Sequence, residues 1–286
     1  MYTAPFQYHR ASSIQEALAL LEQFGDDAKV LAGGHSLLPV MKLRFASPAH
    51  LVDIGRIAAL GGITDGGATV TIGATTCHTD VAASAVVRTK APAIAQAAGQ
   101  IGDVHVRNRG TIGGSIAHAD PGADLPAALI ASAAQIVVTG RAGERAIDAE
   151  RFFTDAFTTT LQSGELVSAV RVPAIASGSG AAYEKCPDAA SGYAVCGIAA
   201  IVSVAGGQVT AARIAITGLG SHAARLPAVE AALIGKPVAA ASARAAAHAA
   251  DGLDLFDDSR GGADYKANLA RVYTARAIAR ALSNAG

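Results

Sequence analysis

The feature that most narrows the folds open to this chain is a short apolar run, residues 28–32, that ends directly on the paired glycines Gly33 and Gly34. A helical stripe precedes it, with Ile14, Ala17, Leu18, Leu21 and Phe24 recurring at the spacing of one helix face. Ser13 and Glu16 stand at capping-box spacing, and Gly25 supplies a C-terminal stop. A further strand is expected over residues 50–54. The first 55 or so residues therefore predict a small α/β unit with a glycine turn at a strand end. Glycine accepts positive φ, so a strand ending in two of them can turn successive backbone N–H groups to one side. Such a nest binds anionic oxygen, most often phosphate. Ser36 would add a hydroxyl donor and His35 an imidazole N–H. Taken alone, the same glycine pair also reads as an ordinary tight turn.

Beyond Gly61 the pattern changes. β-like runs lie at 68–74, 135–139 and 166–173, and an Ala-rich helical stretch covers 91–99. Between them sits RGTIGGSIAHADPGADLP, whose Thr111, Ile112, Gly113, Gly114 and Ser115 repeat the theme of paired glycines flanked by hydroxyls. Asp120-Pro121-Gly122 is a turn signal, and Asp124 follows it. A diphosphate needs donors from two directions, and sugar or ribityl hydroxyls need an acceptor such as Asp124. Two donor-rich loops meet that need better than one. The SGSG cluster at 177–180 reads as a linker. After it, two apolar runs at 195–205 and 208–217 flank Gly206-Gly207, a hairpin signal. Helical stretches at 228–234, 242–250 and 263–282 close the chain. The expected organisation is α+β in three units, 1–56, 57–176 and 177–286.

Composition excludes several functions. Lys and Arg number 23, as do Asp and Glu, and this neutral balance offers no electrostatic footprint for nucleic acid. No apolar run approaches the roughly 18 residues of a transmembrane segment. The N-terminus MYTAPFQYHR lacks the apolar stretch of a signal peptide, so the expected location is cytoplasmic. Hydrophobic residues make up 51% of the chain with aromatics at 5%, which suggests helices and sheets packed closely through small side chains. Cys77, Cys186 and Cys196 form no CxxC pair, too few and too scattered for a cluster needing about four thiolates. They read as buried free thiols. Packing is preferred over metal ligation for Cys77-His78. The acids Asp148, Glu150 and Asp155 around Phe152-Phe153 read as a solvated edge, and 254–260 as an exposed loop. No Ser/His/Asp arrangement, HExxH or Walker sequence is legible.

AGGHSLLPVMKLR followed by LVDI, together with TIGGSIAHADPGADLP, closely resembles the flavin-carrying medium subunit of the carbon monoxide dehydrogenase type of molybdenum hydroxylase. The xanthine dehydrogenase flavin domain is a more distant relative. The resemblance runs over essentially the whole chain. It implies a two-subdomain FAD-binding fold followed by a C-terminal domain with a three-stranded antiparallel sheet and a helical bundle. It places the diphosphate contacts on Ala32, Gly33, Gly34, His35 and Ser36 and on Thr111, Ile112, Gly113, Gly114 and Ser115. It puts the acidic contact on Asp124 and apolar walls on Ile101 and Val167. Lys185 would lie within charge range of the flavin and Tyr193 beside its ring. His118 stands where the xanthine enzymes carry a small hydroxyl residue. The segment CPDAAS lacks the extra basic residues usual between the positions of Lys185 and Tyr193.

The function so implied is electron transfer through non-covalent FAD, with no catalytic acid or base for substrate in this chain. The molybdenum cofactor and the 2Fe-2S clusters would belong to partners, a molybdenum-binding large subunit and an iron–sulfur small subunit, assembled as a dimer of heterotrimers. The alternative is a self-sufficient oxidase with covalent flavin, for which His35 would be the attachment point. A flavin-free scaffold is a third reading. For His35 itself, phosphate donor, bystander and covalent link all stay open.

Overall fold

The computed structural model describes residues 2–238, 241–255 and 257–285. Its first unit comprises β1 (Gln7–Arg10), α1 (Ile14–Phe24), β2 (Ala28–Leu31), α2 (Leu37–Lys42) and β3 (His50–Asp53). The strands form a parallel sheet in the order β1-β3-β2. Parallel neighbours need crossovers, and α1 and α2 supply them. Ser13 caps α1 by accepting the Glu16 N–H at 3.1 Å. The Glu16 carboxylate returns to the N–H of Ser12 at 2.8 Å, so the expected box closes one residue further out. Ala17 and Leu21 on the apolar stripe are buried in one cluster with Val52, Ile54 and Leu60.

The second region runs from β4 (Ile63–Asp65) and β5 (Thr69–Gly73) through six helices: α3 (His78–Ala83), α4 (Ala85–Lys90), α5 (Pro92–Gly99), α6 (Val104–Arg109), α7 (Ile112–His118) and α8 (Asp124–Ala131). It continues with β6 (Gln135–Gly140), β7 (Gly143–Asp148), α9 (Ala149–Phe152), β8 (Phe153–Asp155), β9 (Thr158–Thr159) and β10 (Leu166–Pro173). Five strands make an antiparallel sheet, β4-β5-β10-β6-β7, and β8 with β9 makes a small ribbon. Val70, Ile72, Ile94, Ile116, Leu125 and Leu129 are central to the core beneath it.

The last region contains β11 (Ser179–Pro187), β12 (Ala194–Ala205), β13 (Gln208–Thr217), β14 (Ala224–Arg225), α10 (Pro227–Leu233), α11 (Ala241–Ala246) and α12 (Ala263–Ser283). Three long antiparallel strands are joined by a two-residue fourth, β14, on the edge of β13. Gly206 and Gly207 make the two-residue hairpin at φ 58° and 74°, the left-handed pair that a tight turn of this kind requires. Ile198, Ala200 and Val202 of β12 enter the core with α12, while Ala199 enters the core with α8. Both faces of the strand are covered, which explains its nearly unbroken apolar run.

The linker expected at 177–180 is not one. Ser179 and Gly180 already belong to β11, and a Cβ on Gly180 would collide with the carbonyl of Ala281 and the backbone of Asn284 and Ala285. The missing side chain of Gly180 allows α12 to close on the strand. In the loop expected at 254–260, residues 257–260 are exposed and Phe256 lies outside the described residues. No helix among the described residues is long and apolar enough to cross a membrane.

Candidate functional site

A cavity of about 810 Å³ opens where these regions meet. One wall is the turn after β2, residues 32–37. A second is the segment from Gly110 to His118, a third is residues 161–167, and Ser191, Gly192 and Tyr193 close a fourth side. Of the residues singled out in the sequence, Ala32, Gly33, Gly34, His35, Ser36, Ile101, Thr111, Gly113, Gly114, Ser115, His118, Asp124, Val167 and Tyr193 all line it. Ile112 and Lys185 do not.

The first turn has the form expected of an anion nest. Gly34 sits at φ 76°. Among the described residues, the N–H groups of Gly33, Gly34, His35 and Ser36 find no partner within the chain. A Cβ on Gly33 would collide with the carbonyl of Arg109, so the two donor loops approach backbone to backbone. His35 Nδ1 lies 3.0 Å from the Gly33 carbonyl oxygen. A carbonyl only accepts, so Nδ1 donates.

The second loop differs from expectation. Gly113 and Gly114 are not left-handed; they occupy the first turn of α7, which Thr111 caps by accepting the Gly114 N–H at 3.1 Å. The Ile112 and Gly113 N–H groups donate to Thr76 and Ala74 carbonyls at 3.0 and 2.8 Å. Glycine is needed there for closeness, since a Cβ at Gly113 would stand 2.5 Å from that of Ala74. The loop thus offers hydroxyls and a bare backbone surface in place of a second nest. Ile112 turns its side chain wholly into the core.

Asp124 lies at the bottom of the cavity, 3% exposed, at the start of α8. Its Oδ1 accepts the Tyr183 hydroxyl at 2.6 Å and its Oδ2 accepts Lys185 Nζ at 2.8 Å. Lys185 also donates to the Gln100 carbonyl at 2.9 Å. Burial pushes the Asp124 carboxyl up, against the pull of Lys185 and Tyr183. Burial and that carboxylate drive the Tyr183 phenol well above its usual range. Lys185 is therefore a buried ion-pair partner behind Asp124 and not a free charge on the cavity wall.

Tyr193 is set by Asp188, whose carboxylate accepts the N–H groups of Ala190 and Ser191 at 3.0 and 2.8 Å. Gly192, at φ 70°, completes the turn by donating to the Asp188 carbonyl. The segment that lacks the family's extra basic residues is thus a tight carboxylate-centred turn. Burial and Asp120 raise the Tyr193 phenol, opposed by a hydrogen-bonding contact with Ser36 across the cavity. His118 is half-buried beside Phe157, ring centroids 5.1 Å apart, and burial lowers its imidazole.

Two wall residues were not assigned to the site from the sequence. His78 lines the cavity, buried, with its ring against Gly110 and no partner on Nδ1. Burial, then the charges of His35 and Arg107, lower its imidazole to about 4. Phe157 stands exposed on the rim at φ 55°, its N–H bound to the carbonyl of Ala119, itself at φ 51°. A histidine beside a cysteine was visible as a pair, but only its tertiary neighbours give it a place. Nothing local in the sequence marks Phe157.

A cavity walled by two donor-rich loops suits a dinucleotide, and comparison with known proteins gives the chain its class. Residues 4–175 match the FAD binding domain in molybdopterin dehydrogenase, and residues 181–281 match the CO dehydrogenase flavoprotein C-terminal domain. The chain belongs to the family of FAD-binding flavoprotein subunits of molybdopterin dehydrogenases, which are oxidoreductase components. It is 46% identical to the carbon monoxide dehydrogenase medium chain of Hydrogenophaga pseudoflava, over 96% of each chain. The alpha subunit of the 6-hydroxypseudooxynicotine dehydrogenase complex of Paenarthrobacter nicotinovorans is 39% identical over 98% of this chain and 95% of its own length. Among solved structures, the H. pseudoflava carbon monoxide dehydrogenase lacking the Mo-pyranopterin moiety superposes with a TM-score of 0.96 at 46% identity, covering 99% of each chain.

Proposed function

We propose that this chain holds FAD non-covalently and serves as the electron-transfer subunit of a molybdenum hydroxylase. In that reading it receives electrons from iron–sulfur clusters of a small partner and passes them to an external acceptor. The observation that carries the reading is the row of four unpartnered N–H groups at Gly33–Ser36 facing a second loop of hydroxyls across one cavity. The four residues are part-buried or exposed on the cavity wall, so their donors are open to a ligand, and such a row of backbone N–H groups fits a dinucleotide's diphosphate. The cavity's size is also that of a cofactor site, roughly 300–1,000 Å³.

The chain's own residues would share the work as follows. Gly33, Gly34, His35 and Ser36 would donate to the diphosphate from one side, and the Thr111 and Ser115 hydroxyls from the other. Each Asp124 oxygen carries one hydrogen bond and keeps capacity for another, so it could accept from a sugar or ribityl hydroxyl. Ile101, Val167 and Tyr193 would exclude water from the ring. FAD, when bound, supplies an isoalloxazine that accepts electrons one at a time and releases two together.

Named relatives at 46% and 39% identity belong to enzymes of different substrates, carbon monoxide and 6-hydroxypseudooxynicotine. That divergence supports placing substrate choice on the molybdenum-bearing partner. The test is acid precipitation of the native protein, with an absorption spectrum before and after and chromatography of the supernatant. FAD in the supernatant is expected. FMN, or yellow colour retained in the pellet, would sink the reading.

A further inference from the structure

We propose that capture of FAD takes up a proton on His35, so that an imidazolium, in place of an arginine or lysine, meets the charge of the diphosphate. The inference rests on the FAD reading above.

A diphosphate diester brings two negative charges into the cavity. Among the described residues that line it, the one Lys or Arg is Lys29, out on β2. The wall carboxylates near the two loops are already engaged. Asp124 is held by Lys185 and Tyr183, and Asp120 by the Gly122 N–H at 2.8 Å with His118 at 4.0 Å. The fixed charges therefore do not neutralise the ligand.

His35 lies inside the row of unpartnered N–H groups, between Gly34 and Ser36. Because Nδ1 donates to Gly33, the neutral ring keeps its hydrogen there and leaves a bare lone pair on Nε2. A lone pair repels a phosphate oxygen, whereas a protonated Nε2 gives it a charge-assisted bond. The cations nearby, Arg107 and Arg109, oppose this second proton, and the two charges of the diphosphate must outweigh them. His78 on α3, the imidazole that senses His35 electrostatically, stays uncharged in its buried place against Gly110. Arg107 of α6 is tied to the carbonyls of Ile101 and Gly102, each at 3.0 Å. Arg109 contributes its backbone carbonyl against Gly33, and Tyr193 meets the neighbouring Ser36 as a neutral phenol. Cys77 and Asp80 stand on the same helix segment as His78.

The test is calorimetric titration of FAD into the native protein, with whatever partners co-purify, after its flavin has been stripped. Titrations at pH 8 in buffers of low and high ionisation enthalpy give the protons taken up per FAD. A net uptake, of one proton at most, is expected, with affinity falling as pH rises, the direction linkage requires when the bound state holds the extra proton. The uptake should shrink towards pH 5, where an imidazole is already protonated before binding. His35→Asn should still bind FAD but without proton uptake. An enthalpy independent of the buffer, uptake undiminished at pH 5, or full uptake in His35→Asn would each overturn the proposal while leaving FAD as the cofactor. Failure of the unaltered protein to bind FAD at all would overturn the cofactor reading and this inference together.

Discussion

Asp124 is the residue on which the cavity's floor depends, and its behaviour follows from two neighbours. A carboxylate this buried is tolerable because Lys185 neutralises it and Tyr183 adds a hydrogen bond. Removing one partner of a buried pair typically costs about 3–5 kcal/mol, since the other charge is left unpaired. Lys185→Met is therefore expected to destabilise the fold by that order at pH 8. The deficit should depend on pH in a definite direction. Burial already raises the Asp124 carboxyl, and losing Lys185 raises it further. The native variant then holds a proton that the unfolded chain releases above about pH 4, so its stability falls as pH rises. Urea unfolding at pH 5 and pH 8 should show the smaller deficit at pH 5. Equal deficits would mean that the orphaned carboxylate finds water. Because the pair is neutral before the change and a protonated acid is neutral after it, the flavin potential should move little. That outcome differs from what a free lysine charge near the flavin would produce.

At the scale of elements, the glycines act where two backbones must touch. Gly33→Ala puts a Cβ onto the Arg109 carbonyl and forces the two donor loops apart. FAD content of the purified variant is expected to fall to a small fraction of normal while its far-UV circular dichroism is kept; full occupancy would contradict the geometry. Gly180→Ala drives a methyl into the end of α12, with an overpacking penalty of about 1–3 kcal/mol. Here stability should drop in urea while FAD per folded chain is unchanged, because the contact lies away from the cavity. The elements that were legible carry their own signals: the stripe and cap of α1, the runs of β10 and β13, the glycine hairpin, and α12. Those that were not legible depend on partners. β1 is an exposed tetrapeptide defined by pairing with β3. The α6 sequence VHVRNR carries no helical stripe, and its helix starts where Asp103 caps it by accepting the Val106 N–H at 2.9 Å. Every residue of α8 is buried, so no periodicity could show. The two loops of the site were readable as glycine pairs with hydroxyls, but not the difference between a left-handed turn and a helix start. Nor could sequence show that Lys185 faces Asp124, because that pairing spans two regions of the chain.

For the whole molecule, the cavity exists only because segments from every region converge on it, and the chain has too few cysteines to carry an iron–sulfur cluster by itself. Cys77, Cys186 and Cys196 are its only cysteines. Cys186 and Cys196 face each other across β11 and β12, and Cys77 lies apart, at the start of α3. A cluster needing about four thiolates cannot be built from them. In the proposed reading a flavin held here is reduced from another chain, at a distance short enough for electrons to cross, so part of the surface around the cavity should be covered in the native assembly. We expect a permanent interface of roughly 2,000 Å² or more in total, in a dimer of three-subunit units. The native protein should co-purify with chains that carry iron and molybdenum, detected by metal analysis across a gel-filtration peak. The separated chain, if it retains FAD, should be reduced by a chemical reductant yet stay inert towards hydroxylase substrates, because in the proposed reading their oxidation belongs to the molybdenum-bearing partner. A native protein that instead runs as a lone, metal-free chain and turns over an organic substrate with oxygen would transfer the chemistry to this cavity and make the chain a self-sufficient oxidase.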